Sequence, residues 1–249
     1  MYWWIYLVVI LVGTAAGFIN TLAGSGSLLT LPLLIFMGLP ANVANGTNRI
    51  GILLQSAVAV SSFKCKKVFE WKDGVWLTIP AGIGALVGAW VAVDLNEQLM
   101  NRIIGGLLVF MFFMILLKPE KWLGNNASGS PIKVTPLRVL IFLFIGFYGG
   151  FIQAGVGFFL LAGLVLGAGM DLLKANAIKV LVTFAFTVLA LAIFIVNNQV
   201  DFVLGLIMGI GNMLGAWIAT HVAVKQGTKF IRWFLLITLL VFAVKLMFF

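Results

Sequence analysis

Long apolar runs, each about the length of a membrane-spanning helix, alternate with short polar turns along the whole chain. Such runs cover residues 2–20, 41–63, 74–93 and 102–117, then 135–153, 172–196, 202–224 and 230–249. Two shorter runs, 28–36 and 158–167, each follow a glycine-rich interruption: TLAGSGS after Asn20 and AGVG after Gln153. About 20 apolar residues carry a helix across a bilayer. The pattern therefore predicts an all-α integral membrane protein, a polytopic helical bundle with short broken helices. The first run has no basic residues ahead of its apolar stretch and is expected to be a spanning helix, not a cleaved signal.

Composition strengthens this picture. Hydrophobic residues make up 63% of the chain and charged ones 9%, with a mean hydropathy of +1.17. A soluble domain carries about 25% charged residues. The net charge of +9 would suit nucleic acid, but most lysines and arginines fall in short loops between apolar runs, where the positive-inside rule places them. No nucleic-acid partner is expected; the lipid bilayer is. The lone Cys65 excludes an intramolecular disulfide and a cysteine-rich metal site, and neither a metal nor a cofactor is implied.

The two halves of the chain repeat each other. GFIN at Gly17 is answered by GFIQ at Gly150, and MGLPANVAN at Met37 by AGMDLLKAN at Ala168. GIGALVGAW (82–90) and GIGNMLGAW (209–217) differ only in their three central residues. An internal duplication follows: a first repeat over 1–117, a linker over 118–134 and a second repeat over 135–249. Counting the short runs gives about five segments in each. With Lys64, Lys66, Lys67 and Lys72 in the cytoplasm, the same side receives Lys118, Lys121, Lys133, Arg138, Lys174, Lys225, Lys229 and Arg232. The other side receives the MGLP turn, the loop 94–101 and NNQVD (197–201). An odd number of crossings per half makes the repeats inverted and puts both termini outside the inner (plasma) membrane.

Two cations interrupt the apolar runs. Arg49 lies eight residues beyond Ala41, about 12 Å along a helix, and Lys179 aligns one position away from it in the second repeat. In a hydrocarbon core of about 30 Å they would straddle the midplane. A buried charge there costs at least ~2.5–3.5 kcal/mol on insertion scales and requires a partner. All seven acidic residues fall in or beside loops. Either the two side chains reach backbone carbonyls or the surface, or a transported anion is the missing partner; two symmetry-related cations without a carboxylate favour the anion. The glycine breaks add a second device, since exposed N–H groups at Gly24, Ser25, Gly26 and Ser27, and at Gly155 and Gly157, attract negative charge. Broken helices at corresponding places of two repeats mark a transporter's site. Asn20, Asn45, Thr47, Asn48, Gln153 and Asn176 complete the candidate set, either as donors to anion oxygens or as ties between helices. Pro80 is expected to kink its helix, His221 to lie at the interface, and Trp3, Trp4, Trp71, Trp76 and Trp122 to anchor helix ends.

Gly13, Gly17, the AGSGS break, Pro32, GLP at 38–40, ANGTN at 44–48 and Pro80 with the following GIGALVGAW together resemble the sulfite exporter TauE/SafE family, also called the toluene sulfonate uptake permeases. The degenerate second copy extends the resemblance over nearly all of the chain. Two departures touch the breaks: Ser25-Gly26-Ser27 stands where such proteins often carry a run of glycines, and Val156 interrupts the second copy. The resemblance implies a permease, usually an exporter, of sulfite, sulfonates or related sulfur or carboxylate anions. An intramembrane enzyme is disfavoured, because no paired carboxylates, His/Cys cluster or Ser/His/Asp set lies at membrane depth. The rival is a non-transporting scaffold or assembly subunit. Homo-oligomerisation stays open.

Overall fold

A computed structural model of the chain describes residues 3–68, 74–116 and 135–248. Trp71, Lys72, Trp122, Lys118, Lys121, Lys133 and the linker 118–134 lie outside the described residues. Those described form helices α1 (Trp3–Ala23), α2 (Ser27–Phe36), α3 (Ala41–Cys65), α4 (Val75–Val93), α5 (Glu97–Leu116), α6 (Pro136–Phe151), α7 (Val156–Ala162, continued by one π-helical segment Gly163–Gly167), α8 (Leu172–Val196) and α9 (Phe202–Phe248). At Gly227 the backbone of α9 leaves helical geometry (φ 69°, ψ −164°), so its two arms are separate helices. Four helices among the described residues are long and apolar enough to cross a membrane: Trp4–Ala23, Val75–Val93, Leu172–Val196 and Phe202–Gly227. The protein is an all-α membrane protein, and large apolar side chains such as Trp4, Leu11, Trp76, Trp90, Phe144 and Trp217 stand exposed on its outside.

Local chemistry sets the helix limits. Thr135 caps α6 by accepting from the Arg138 N–H at 3.4 Å, with Pro136 next in line where a proline costs no hydrogen bond. Asp171 caps α8 through the N–H groups of Leu173 and Lys174 at 3.0 and 3.1 Å. Pro40 precedes α3. Helices α3 and α8 are each 25 residues long and end alike, with Lys67 and Asn198 at φ 55° and 54°.

The short helices fold back on the ones before them. Leu34 of α2 clusters with Val9 of α1, and Met37 and Leu39 join Ile5 and Tyr6 there. α1 and α2 are thus an antiparallel hairpin. The start of α6 likewise meets the end of the π segment, where Arg138 Nε donates to the Gly167 carbonyl at 3.0 Å, giving a second hairpin. Ten residues of α2 make about 15 Å, half the thickness of a bilayer core, and the α1–α2 hairpin tip, residues 21–28, is buried inside the protein. The two tips touch. A Cβ on Gly24 would overlap the backbone of Gly157, and one on Gly157 the backbone of Gly24; Gly24 also needs φ +79°, which a side chain resists.

Reciprocal packing surrounds this contact. Helix α1 lies along α9 and α6 along α4. Gly13 and Gly17 sit on the backbone of Met208 and Asn212, while Gly211 and Gly215 sit on Ile10 and Thr14. At the matching positions, Gly146 and Gly150 sit on Ala81 and Ala85, and Gly84 and Gly88 on Leu143 and Phe147. The nine-residue segments alike in both halves are therefore backbone-contact surfaces, in which small residues let helices approach without lipid between them. Inside this frame α3 packs on α8, burying Asn45, Thr47, Asn48, Arg49, Gln55 and Ser56 of α3 and Asn176, Lys179, Thr183 and Thr187 of α8.

Candidate functional site

The first helix of each hairpin, α1 and α6, breaks off with terminal carbonyls that its own helical ladder leaves wholly or partly open. In α6 the last of these belong to Tyr148, Gly149, Gly150 and Phe151. Tyr148 O accepts from the backbone N–H of Ile152 and Gln153. The others are closed by α3: Arg49 Nη1 donates to Gly149 O at 3.1 Å, Nη2 to Gly150 O at 2.5 Å, and Asn45 Nδ2 to Phe151 O at 2.8 Å. The guanidinium also reaches Gln153 Oε1 at 3.4 Å and Asn45 Oδ1 at 3.5 Å, and lies 4.5 Å from the centroid of the Phe194 ring. Lys179 of α8 serves the other hairpin. Its Nζ donates to Asn20 O at 3.0 Å and Thr21 O at 2.8 Å, in the last turn of α1. Each buried cation thus caps the broken helix of the opposite half, where the helix dipole concentrates negative charge.

Beside the touching tips lies a cavity of about 10 Å³, lined by Asn20, Gly24, Ser27, Gln55, Ser56, Gln153, Gly157, Lys179 and Thr183, with Ile52, Val156 and Val180 as its apolar wall. That is room for about one water molecule. No carboxylate lines it. Lys179 carries three N–H donors, of which two meet the α1 carbonyls. Asn20 Nδ2 donates to Gln55 Oε1 at 3.3 Å, and Gln153 Nε2 to Thr187 Oγ1 at 2.7 Å. Ser56 Oγ, together with Thr21 Oγ1 and Ser25 Oγ, which follow the lining residues Asn20 and Gly24 in the chain, is buried without a hydrogen-bond partner. A buried hydroxyl left unpaired costs about 1–3 kcal/mol, which a ligand can recover.

Of the residues singled out by sequence, the cavity gathers Asn20, Gly24, Ser27, Gln153, Gly157 and Lys179. Arg49 touches it only through Gln153. Asn45 is spent on α6. Asn48 ties α3 to α2, accepting from Thr30 Oγ1 at 2.6 Å and donating to Ser27 Oγ at 3.1 Å. Thr47 faces elsewhere, its hydroxyl accepting from the Asp201 N–H at 2.8 Å. Asn176 is buried with neither amide atom paired, Gly26 donates its N–H to Asn20 Oδ1 at 3.3 Å and packs on Ala16, and Gly155 makes the left-handed turn into α7. The cavity also holds Gln55, Ser56 and Thr183, which the sequence reading passed over. For Thr183 a signal was present: Lys179, Thr183 and Thr187 lie at i, i+4 and i+8, one face of a helix. His221 lies on an exposed face, its ring against Trp217 with centroids 4.5 Å apart.

The model of one family, described as "Sulfite exporter TauE/SafE", matches residues 9–246. The chain belongs to that family. A probable membrane transporter protein of Sinorhizobium, ORF9, is 31% identical over 93% of this chain and 88% of its own length. The probable membrane transporter protein YfcA of Escherichia coli is 29% identical over 97% and 89%, and a probable membrane transporter protein of Haemophilus influenzae 26% identical over 89% and 86%. No solved structure matches the chain. Membership places the protein among membrane transporters of the TauE/SafE family.

Proposed function

We propose that this TauE/SafE protein is a permease, working as an exporter, for small oxyanions such as sulfite, organosulfonates or related carboxylates, which it binds where the two hairpin tips meet. The observation that carries the reading is the cavity at Gly24 and Gly157, with a lysine ammonium, three hydroxyls and three amides but no carboxylate. Lys179 supplies the charge, and Ser56, Thr183 and the amides of Asn20 and Gln153 surround the oxygens. Arg49 and Asn45 hold Gln153 and the α6 end in place. Asn176, with an unpaired amide one turn before Lys179, gains a partner when the cavity widens. A cavity sized for one water is too small for a three-oxygen anion, so the conformation is a closed one and binding requires the tips to part. Export of an anion is favoured by ~2.3 kcal/mol per charge per 100 mV of membrane potential, so no carboxylate relay is needed to drive it.

The halves act as inverted repeats of five segments, α1–α5 against α6, α7, α8 and the two arms of α9. The reciprocal glycine contacts and the tip-to-tip meeting of matched residues support this arrangement, because a two-fold axis sends each contact onto its counterpart. The hairpins then enter from opposite faces and the site lies near the midplane.

Two measurements test the proposal. In proteoliposomes loaded with radiolabelled sulfite, the wild type should release the label, and Lys179→Met should slow release by about 10- to 150-fold, the equivalent of 1.5–3 kcal/mol for a charge-assisted hydrogen bond. Release by a folded Lys179→Met protein at the wild-type rate would remove the lysine from the site. For topology, single cysteines are introduced after the exposed Cys65 is replaced by serine. A cysteine at Asn198 should react from outside the cell and one at Lys66 from the cytoplasm; labelling of position 198 only from the cytoplasm would reverse the orientation.

A further inference from the structure

In secondary transporters built on broken helices, the C-terminal ends of the half-helices are where free coupling cations such as Na⁺ are held, because unpaired carbonyls converge there at the negative end of the helix dipole. In this protein both such ends are filled by side chains. Asn20 O and Thr21 O of α1 receive the Lys179 ammonium at 3.0 and 2.8 Å. Gly149 O and Gly150 O of α6 receive the Arg49 guanidinium. Both cations are buried, and each comes from the half of the chain opposite to the helix it caps.

We infer that Lys179 and Arg49 are tethered cations standing in the places of free coupling ions, so that this transporter works without Na⁺ and acquires a site for a free small cation when the Lys179 side chain is removed. The geometry carries this independently of what the cavity binds. The Lys179 ammonium sits at hydrogen-bond distance from two carbonyls, with Asn20, whose carbonyl it holds, and the hydroxyl-bearing Ser27 and Ser56 lining the same cavity. A side chain that occupies a cation's place makes the site's charge permanent: a tethered cation cannot dissociate and so cannot be carried across. Loss of the four-carbon stem in Lys179→Ala leaves the carbonyls, the neighbouring hydroxyls and a space shaped for a small monovalent cation.

The experiment is thermal unfolding in detergent with no anion substrate added, which separates this inference from the anion reading. Wild-type protein should unfold at the same temperature in sodium, potassium and choline chloride. Lys179→Ala should unfold lower than wild type, and methylammonium chloride should raise it by about 2–4 °C once about fivefold above its dissociation constant, whereas tetramethylammonium, too large for the space, should not. Guanidinium chloride at low millimolar concentration should act in the same way on Arg49→Ala. If neither variant can be purified, the wild type decides alone: stabilisation by sodium over choline would overturn the inference. So would a Lys179→Ala protein indifferent to methylammonium, ammonium and sodium alike.

Discussion

Alanine at Gly157 is expected to abolish transport and to lower the unfolding temperature of the protein by about 2–12 °C. The added methyl group would fall on the Gly24 backbone. Neither neighbour is the flexible end of a side chain, so relief requires the two hairpins to separate. Overpacking of this kind costs typically ~1–3 kcal/mol, and in a protein of this size each kcal/mol moves the midpoint by about 2–4 °C. Gly24→Ala should be worse, because the left-handed backbone at φ +79° adds strain of about 1–2 kcal/mol. Gly105→Ala is the control. It lies inside α5 with nothing within 4 Å of the added atom, and should leave transport intact and stability unchanged or raised by up to about 1 kcal/mol, alanine being the better helix former. A Gly157→Ala protein that transports and melts like the wild type would mean the tips do not touch in the working transporter.

The helices were legible in the sequence because membrane-crossing helices announce themselves by length and hydropathy. The apolar run 172–196 coincides with α8, and the short runs 28–36 and 158–167 with α2 and with α7 plus its π segment. The break at Gly227 was legible as the polar interval between the runs ending at 224 and beginning at 230. What could not be read was where side chains go once helices pack. The sequence leaves Arg49 and Lys179 without a visible counter-charge, because carbonyls carry no letter; only the fold brings the ends of α6 and α1 to them.

The duplication is an imperfect guide for the same reason. Gly17 and Gly150 correspond, so Phe151, the last residue of α6, corresponds to Phe18; yet α1 continues to Ala23. With that extra turn the terminal carbonyls of α1 lie further along the chain, and Lys179 finds Thr21 O and Asn20 O, the latter shared with the Gly24 N–H, rather than the counterparts of Gly149 and Gly150. It also separates the two matched asparagines. Asn45 reaches the free Phe151 carbonyl, whereas the counterpart carbonyl at Phe18 lies within α1, and Asn176 has no partner. Equal letters at aligned positions therefore acquired unequal roles, and the cavity received one of the two cations.

Arg49→Met should destabilise the protein by about 2–6 kcal/mol, because it strands two buried carbonyls at about 1–3 kcal/mol each. Gly149 O and Gly150 O belong to the last turn of α6, where no downstream N–H is in place to accept the loss. Methionine fills most of the space but offers them nothing. Lysine at the same position restores the charge without the planar fork that serves both carbonyls together, so Arg49→Lys should recover only part of the stability. The effect should be local to the α6 end, which Arg49, Asn45 and the turn at Gln153 hold jointly. Amide hydrogen exchange checks this: in Arg49→Met, peptides covering 146–158 should exchange faster, while those covering α9 before Gly227 stay protected. An Arg49→Met protein as stable as the wild type, with exchange unchanged across 146–158, would show that the α6 carbonyls are satisfied by another group and that the arginine is free to serve the substrate.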